Sequence, residues 1–159
     1  MGTAADGDGQ WSMALDDQFC FALYAASRAV TSLYRPVLDQ LGLTYPQYLV
    51  MLVLWERGPV PVRDLGTALS LDYGTLTPLL KRLEAHGLLR RKRSAADERS
   101  VLISLTADGA ALQQRARAVP PFAAGAMGLD RAEYDQLRVL LRRLTDNIAA
   151  APPPPELPG

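Results

Sequence analysis

Cys20 is the only cysteine of the chain, and it stands in the stretch DDQFCFALYAASRAV, Asp16 to Val30. A thiolate is a nucleophile that attacks the O–O bond of a peroxide and becomes a sulfenic acid. At helical spacing Cys20 heads the line Cys20, Tyr24, Ser27, Thr31, Tyr34, whose hydroxyl groups suit the lining of a site. With Asp16 read as the helix cap, Cys20 lies near a helix amino terminus, where the dipole and unpaired N–H groups favour a thiolate. The carboxylates of Asp16 and Asp17 oppose this. Tyr24, one turn along, can donate its phenol to the sulfur. Tyr34 is fourteen residues on, about 21 Å along one helix, so it meets Cys20 only from an antiparallel partner helix such as a two-fold dimer supplies. The other reading of Cys20 is an inert core thiol, the commonest fate of a free cysteine.

The elements that must position these residues are mostly helical. Phe19, Leu23, Ala26, Val30, Leu33 and Val37 form an amphipathic stripe that Pro36 and Leu41–Gly42 bring to an end. Thr44 can cap a second helix, apolar almost all round, that stops at Gly58–Pro59. A short third helix follows Pro61. Asp72 can cap a fourth helix running to Gly87, in which Pro78 predicts irregularity before Thr77. Leu88–Arg93 and Ser100–Leu105 read as a two-stranded hairpin. Thr106 caps a fifth helix that ends at Pro120–Pro121, and after a loop Asp130 with Glu133 makes a capping box for the last helix. In that helix Tyr134, Leu137, Leu141, Leu144 and Ile148 form a stripe suited to a partner helix. The expectation is a mainly α fold of the α+β winged helix-turn-helix type, with six helices and a hairpin wing. The predicted organisation is an N-terminal tail over 1–11, a winged domain over 44–106 and a helical region over 12–43 and 107–150. A Pro-rich tail follows over 151–159, and both tails are expected to be disordered.

At 159 residues and 48% hydrophobic, with no apolar run near membrane-spanning length, the chain reads as one soluble domain. One cysteine precludes an intramolecular disulfide, and MGTAADGDGQ carries no targeting signal, which points to the cytoplasm. The net charge is zero, yet residues 62–106 hold eight Lys or Arg against five acids. The remainder is correspondingly acidic, and a basic middle with acidic flanks suits one polyanion-facing region.

A helix-turn-helix reads DNA by laying its second helix in the major groove, roughly 12 Å wide. Its amino-terminal side chains, here Asp72, Tyr73, Thr75 and Thr77, then meet base edges. Lys81 and Arg82 lie where phosphates pass. Arg90, Arg91, Lys92 and Arg93 can add phosphate contacts, and Arg99 at the hairpin tip suits a narrow minor groove. Each charge taken singly also fits a solvated surface.

The stretch LLKRLEAHGLLRRKRSAADERSVLISLTADG resembles the signature of MarR-type transcriptional regulators. It has a recognition helix, a glycine, a basic strand, an Asp-x-Arg tip (Asp97, Arg99) and a Leu-Thr-x-x-Gly exit (Leu105, Thr106, Gly109). The likeness spans roughly 16–149. It implies an intertwined homodimer whose first and last helices cross and whose wings grip a pseudo-palindromic operator in double-stranded DNA, half-sites about 34–36 Å apart. It also implies repression by occupying a promoter. CFALY with Ala-Ser-Arg, then Leu33–Pro36, then Leu43–Tyr48, is similar to the organic hydroperoxide resistance regulator (OhrR) branch. That resemblance makes Cys20 the peroxide-reactive residue, held by Tyr34 and Tyr45 of the other subunit. Some members resolve the sulfenic acid with a second cysteine. With none here, the resemblance implies either capping by a low-molecular-weight thiol or overoxidation.

Three rivals keep the same residues, one of them a helical interaction module with no DNA role. A regulator answering to a phenolic or lipophilic effector would leave Cys20 incidental. A thiol peroxidase would need a resolving cysteine and a Thr-x-x-Cys pattern, where this chain has Asp17. His86 has no companion at metal-ligand spacing, so neither metal nor other cofactor is implied, and no catalytic triad or phosphate loop is present.

Overall fold

The computed structural model describes residues 12–93 and 100–153. The predicted N-terminal tail over 1–11, residues 154–159 of the C-terminal tail, and the wing tip with Asp97 and Arg99 lie outside them. The described chain falls into two compact units, one ending at Ala123 and the other beginning at Ala124.

The first unit holds α1 (Phe19–Asp39), α2 (Tyr45–Arg57), β1 (Val60–Pro61), α3 (Val62–Leu69), α4 (Tyr73–Ala85), β2 (Leu89–Arg93), β3 (Val101–Leu105) and α5 (Ala107–Ala116). Then α6 (Val119–Met127) crosses into the second unit, which also holds α7 (Arg131–Ala149). The fold is a mainly helical winged helix, as the element order predicts.

Local chemistry sets most helix starts. The Thr44 amide donates to Gln47 Oε1 at 2.9 Å, closing a capping box on α2 with Pro46 in the first turn, where a missing N–H costs nothing. Thr106 Oγ1 accepts from Gly109 N at 3.0 Å on α5, and Asp130 with Glu133 forms the box on α7. Two connections turn on left-handed residues. Ser70 has φ 53° between α3 and α4, and Gly87 has φ 72° between α4 and β2.

The sheet is antiparallel with β3 in its centre. β2 pairs with β3 from Leu89↔Leu105 to Arg93↔Val101, and the two-residue β1 adds on the far side through Val60↔Ile103 and Pro61↔Leu102. This third strand is additional to the predicted hairpin, and its proline sits at a sheet edge where no ladder donor is needed. The core gathers Leu38 and Leu43, then Val50, Met51 and Leu54 of α2, Leu65 of α3, Leu76, Leu80 and Leu83 of α4, Leu89, Ile103 and Val119. Trp55 Nε1 ties α2 to α5 by donating to Gly109 O at 2.9 Å.

Four local expectations are corrected. α1 begins after a 3-10 turn, Leu15–Asp17, so Gln18 rather than Asp16 is its cap residue. Gln18 Nε2 donates backward to Ser12 O at 2.6 Å, fixing that entry. Pro36 lies inside α1, which runs on to Asp39. α4 is continuous from Tyr73 through Pro78, with Thr77 Oγ1 donating to Tyr73 O at 2.8 Å. The loop expected before Asp130 contains α6, whose first turn holds Pro120 and Pro121; prolines there begin a helix as readily as they end one.

Candidate functional site: an exposed thiol, a tyrosine cluster and a recognition helix

Cys20 is the second residue of α1 and is exposed. The apolar residues around it are exposed as well, with Phe19 at 62% and Leu23 at 38%. Only Leu38, at the far end of α1, is buried in that helix. Tyr24 is one turn from Cys20. Its phenol oxygen accepts from Arg28 Nη1 at 2.9 Å, and the guanidinium carbon lies 5.6 Å from the ring centre. The phenol proton is thereby left to donate elsewhere. Arg28 was not foreseen as part of the site. Its position four residues after Tyr24 was the available signal.

Tyr34 lies on the same unbroken helix as Cys20, so the two ends stand about 21 Å apart within one chain. What Tyr34 does meet is Tyr45 at the start of α2, ring centres 4.9 Å apart, and Tyr48 at 6.2 Å. Tyr48 in turn packs edge-on to Trp55 at 6.3 Å. Tyr48 is buried, and that burial holds its phenol above the ordinary value, with the neighbouring Tyr34 and Tyr45 adding to the rise. Tyr48 and Trp55 thus anchor the pair from beneath, a role that spacing alone did not disclose. Beside Tyr45 a hollow of about 270 Å³ opens between α1 and the start of α2, lined in part by Thr31, Arg35 and Leu38.

The second candidate surface is α4 and the wing. Asp72 caps α4 with both carboxylate oxygens: Oδ1 accepts from Thr75 N at 2.7 Å and Oδ2 from Thr75 Oγ1 at 3.0 Å. These hydrogen bonds from Thr75 hold the Asp72 carboxyl below the usual range. Tyr73, 69% exposed, projects from the first turn, and Lys81 and Arg82 are exposed further along. Thr77 is half-buried. On β2, Arg90, Arg91, Lys92 and Arg93 are all exposed. Arg91 is engaged: its Nη2 lies 2.6 Å and its Nε 2.7 Å from Glu84 Oε2, and its backbone N–H donates to Glu84 Oε1 at 3.1 Å. The hydrogen bond from the Arg91 side chain draws the Glu84 carboxyl below its ordinary value.

A winged domain bearing an exposed capped recognition helix and a basic strand defines a transcriptional regulator, and the comparisons agree. Residues 32–115 match the family Transcriptional regulator SarA/Rot. The chain is 49% identical over 136 residues to the organic hydroperoxide resistance transcriptional regulator of Bacillus subtilis, covering 86% of this chain and 92% of that one. It superposes on reduced AbfR bound to DNA with TM-score 0.73 at 37% identity, covering 86% and 93% of the two chains. It superposes on overoxidized AbfR bound to DNA with TM-score 0.69, again at 37% identity, covering 84% and 94%. The chain therefore belongs to the MarR family of winged-helix transcriptional regulators, in its organic hydroperoxide resistance regulator branch. These relatives are regulators, not enzymes. No helix among the described residues is long and apolar enough to cross a membrane.

Proposed function

We propose that the chain acts in the cytoplasm as a homodimeric repressor that occupies a pseudo-palindromic operator and releases it when an organic hydroperoxide oxidises Cys20. One observation carries this reading: an exposed thiol stands at one end of α1, and a tyrosine pair is assembled at the other end of the same helix. Two copies with antiparallel first helices bring each Cys20 to the partner's Tyr34 and Tyr45. The unburied Phe19 and Leu23 on α1, and Tyr134, Leu137, Leu141 and Ile148 on α7, offer the apolar surface such a pairing buries. On this reading 12–43 and 107–150 make the dimer and 44–106 meets DNA. Asp72, Tyr73, Thr75 and Thr77 face bases, and Lys81, Arg82 and Arg93 face the backbone side, with Arg91 beside them on β2. Asp97 and Arg99 form the wing tip.

The chemistry balances in two steps. The Cys20 thiolate attacks the distal peroxide oxygen, the O–O bond breaks, and the alkoxide leaves as an alcohol after taking a proton. Cys20 is oxidised to the sulfenic acid, which a low-molecular-weight thiol then converts to a mixed disulfide with loss of water. Tyr24, with Arg28 behind it, donates to the sulfur. The hollow beside Tyr45 gives the oxidant's organic group a place. Overoxidised AbfR has been solved on DNA, which favours the bulky mixed disulfide over a sulfonic acid as the releasing form.

The test is a mobility-shift assay on operator DNA with the unmodified chain and Cys20→Ser, each with cumene hydroperoxide and a small thiol. The unmodified protein is expected to release DNA, and the variant to bind as tightly yet stay bound. Oxidative release that persists in Cys20→Ser ends the sensing role and leaves an effector-controlled repressor.

A further inference from the structure

Four consecutive cations, Arg90 to Arg93, look equivalent in sequence, but the sheet separates them. Side chains alternate along a strand, so Arg91 shares a face with buried Leu89 and stands opposite buried Ile103, while Arg90 and Lys92 point the other way. That face is the one turned toward α4, where Glu84 waits in the last turn. Only seven residues separate the two, and Gly87 folds the chain back between them. β2 is an edge strand of the sheet, and its Arg91 N–H, which finds Glu84 Oε1, is a donor that an edge otherwise leaves to water. One carboxylate thus takes three contacts from one residue, a forked charge-assisted geometry with little angular freedom.

We infer that Glu84 and Arg91 form a strap fixing the angle between recognition helix and wing, and that Arg91 serves DNA reading as a positioning residue rather than as a phosphate contact. The inference rests on α4 and the wing meeting DNA together. An operator presents its major groove to α4 and its flanking groove to the wing at a set spacing, so an unstrapped wing leaves non-specific binding intact and loses the selected fit. The remaining cations of β2 keep their electrostatic work. Electrostatics alone predicts the opposite result for Glu84, because removing a carboxylate close to a polyanion strengthens binding.

The experiment selects duplexes from a random pool with the full-length chain, then measures binding of the unmodified protein, Glu84→Gln and Arg91→Met to a selected duplex and to an unselected one across a salt series. The strap predicts that both variants lose about tenfold on the selected duplex. They should hold their affinity for the unselected one and keep the salt slope. The reciprocal exchange, Glu84→Arg with Arg91→Glu, should recover most of the loss. Glu84→Gln binding the selected duplex as well as or better than the unmodified chain overturns the inference. So does a salt slope lowered by about one in Arg91→Met, the mark of a phosphate contact. A parallel fall on both duplexes with a lowered Tm reduces the pair to ordinary fold support and overturns it too. A parent chain that enriches no duplex removes DNA reading itself, a failure distinct from the other three.

Discussion

Helices α1 and α4 carry similar amphipathic patterns and meet opposite fates. α4 buries Leu76, Leu80 and Leu83 against its own chain and leaves Asp72, Tyr73 and Thr75 exposed on a firmly seated frame. α1 buries nothing before Leu38, and its first turns present Phe19, Phe21 and Leu23 to solvent beside the thiol. On the proposed reading, the described part of the DNA-facing surface sits on a packed frame within one chain, whereas the surroundings of Cys20 stay open. If the proposed function holds, DNA reading and thiol sensing depend differently on a second copy. In the proposed dimer, a stimulus that disturbs the seam between copies would alter the spacing of two recognition helices without unfolding either winged domain.

The sharpest break of that contrast targets the packed side. A Cβ added at Gly109 would overlap Leu88 O and come to 2.9 Å from Leu88 C, both backbone atoms that cannot swing aside. Gly109→Ala should cost about 3 kcal/mol, near the upper end for overpacking. Leu80→Ala should cost about as much by leaving a cavity among α4's neighbours. Thermal unfolding should show both losses at every protein concentration tested.

Substitutions on the open side should behave differently. Leu23→Asp and Leu137→Asp change residues that are over a third exposed in the single chain and lie outside its core. Sedimentation should report a shift from dimer to monomer of at least tenfold in Kd, about 1.4 kcal/mol, and the concentration dependence of Tm should vanish. Unchanged dimer mass in both variants would return these faces to the status of ordinary surface.

A smaller effect probes the sensor's own support. Arg28→Gln removes the cation beside Tyr24 while keeping a hydrogen-bond donor at similar reach. Oxidation of Cys20, followed by loss of titratable thiol under excess hydroperoxide, should slow by about threefold, the size of one exposed cation–π contact. DNA binding of the reduced protein should not change. An equal rate would take Arg28 out of the site.

How far this arrangement could be read from residues depends on the range of the interaction. Thr44 with Gln47, Asp72 with Thr75, Thr106 with Gly109 and Asp130 with Glu133 lie within three residues, and each cap was legible. The same rule failed at Asp16 because the chain there tightens into a 3-10 turn and Gln18 satisfies the preceding carbonyls. β1 is two residues long and exists only through pairing with β3 some forty positions away, so no pattern could announce it. Tyr48 and Trp55 look like generic core residues of an apolar helix until α1 brings Tyr34 onto them. Arg91 could not be told from its neighbours before strand register placed it across from Ile103 and next to Glu84.

The mildest effect tests whether α4 is seated by its cap as firmly as by its leucines. Asp72 has its carboxyl held below the ordinary 3.8 by the Thr75 amide and hydroxyl. A group with a depressed folded value stabilises fully above the unfolded value and loses that contribution as pH falls through the folded one. The cap of α4 should therefore be intact at neutral pH and fade only below about pH 4, whereas Asp72→Asn caps the helix without titrating. Thermal unfolding from pH 7 to pH 2.5 should show the unmodified chain losing stability against Asp72→Asn only in that acid window. At neutral pH the parent should be the more stable of the two, because a full negative charge at a helix amino terminus adds to the hydrogen bonds. Curves that run parallel throughout would mean that the Asp72 charge adds nothing to the cap, leaving its hydrogen bonds and Leu76, Leu80 and Leu83 to seat α4.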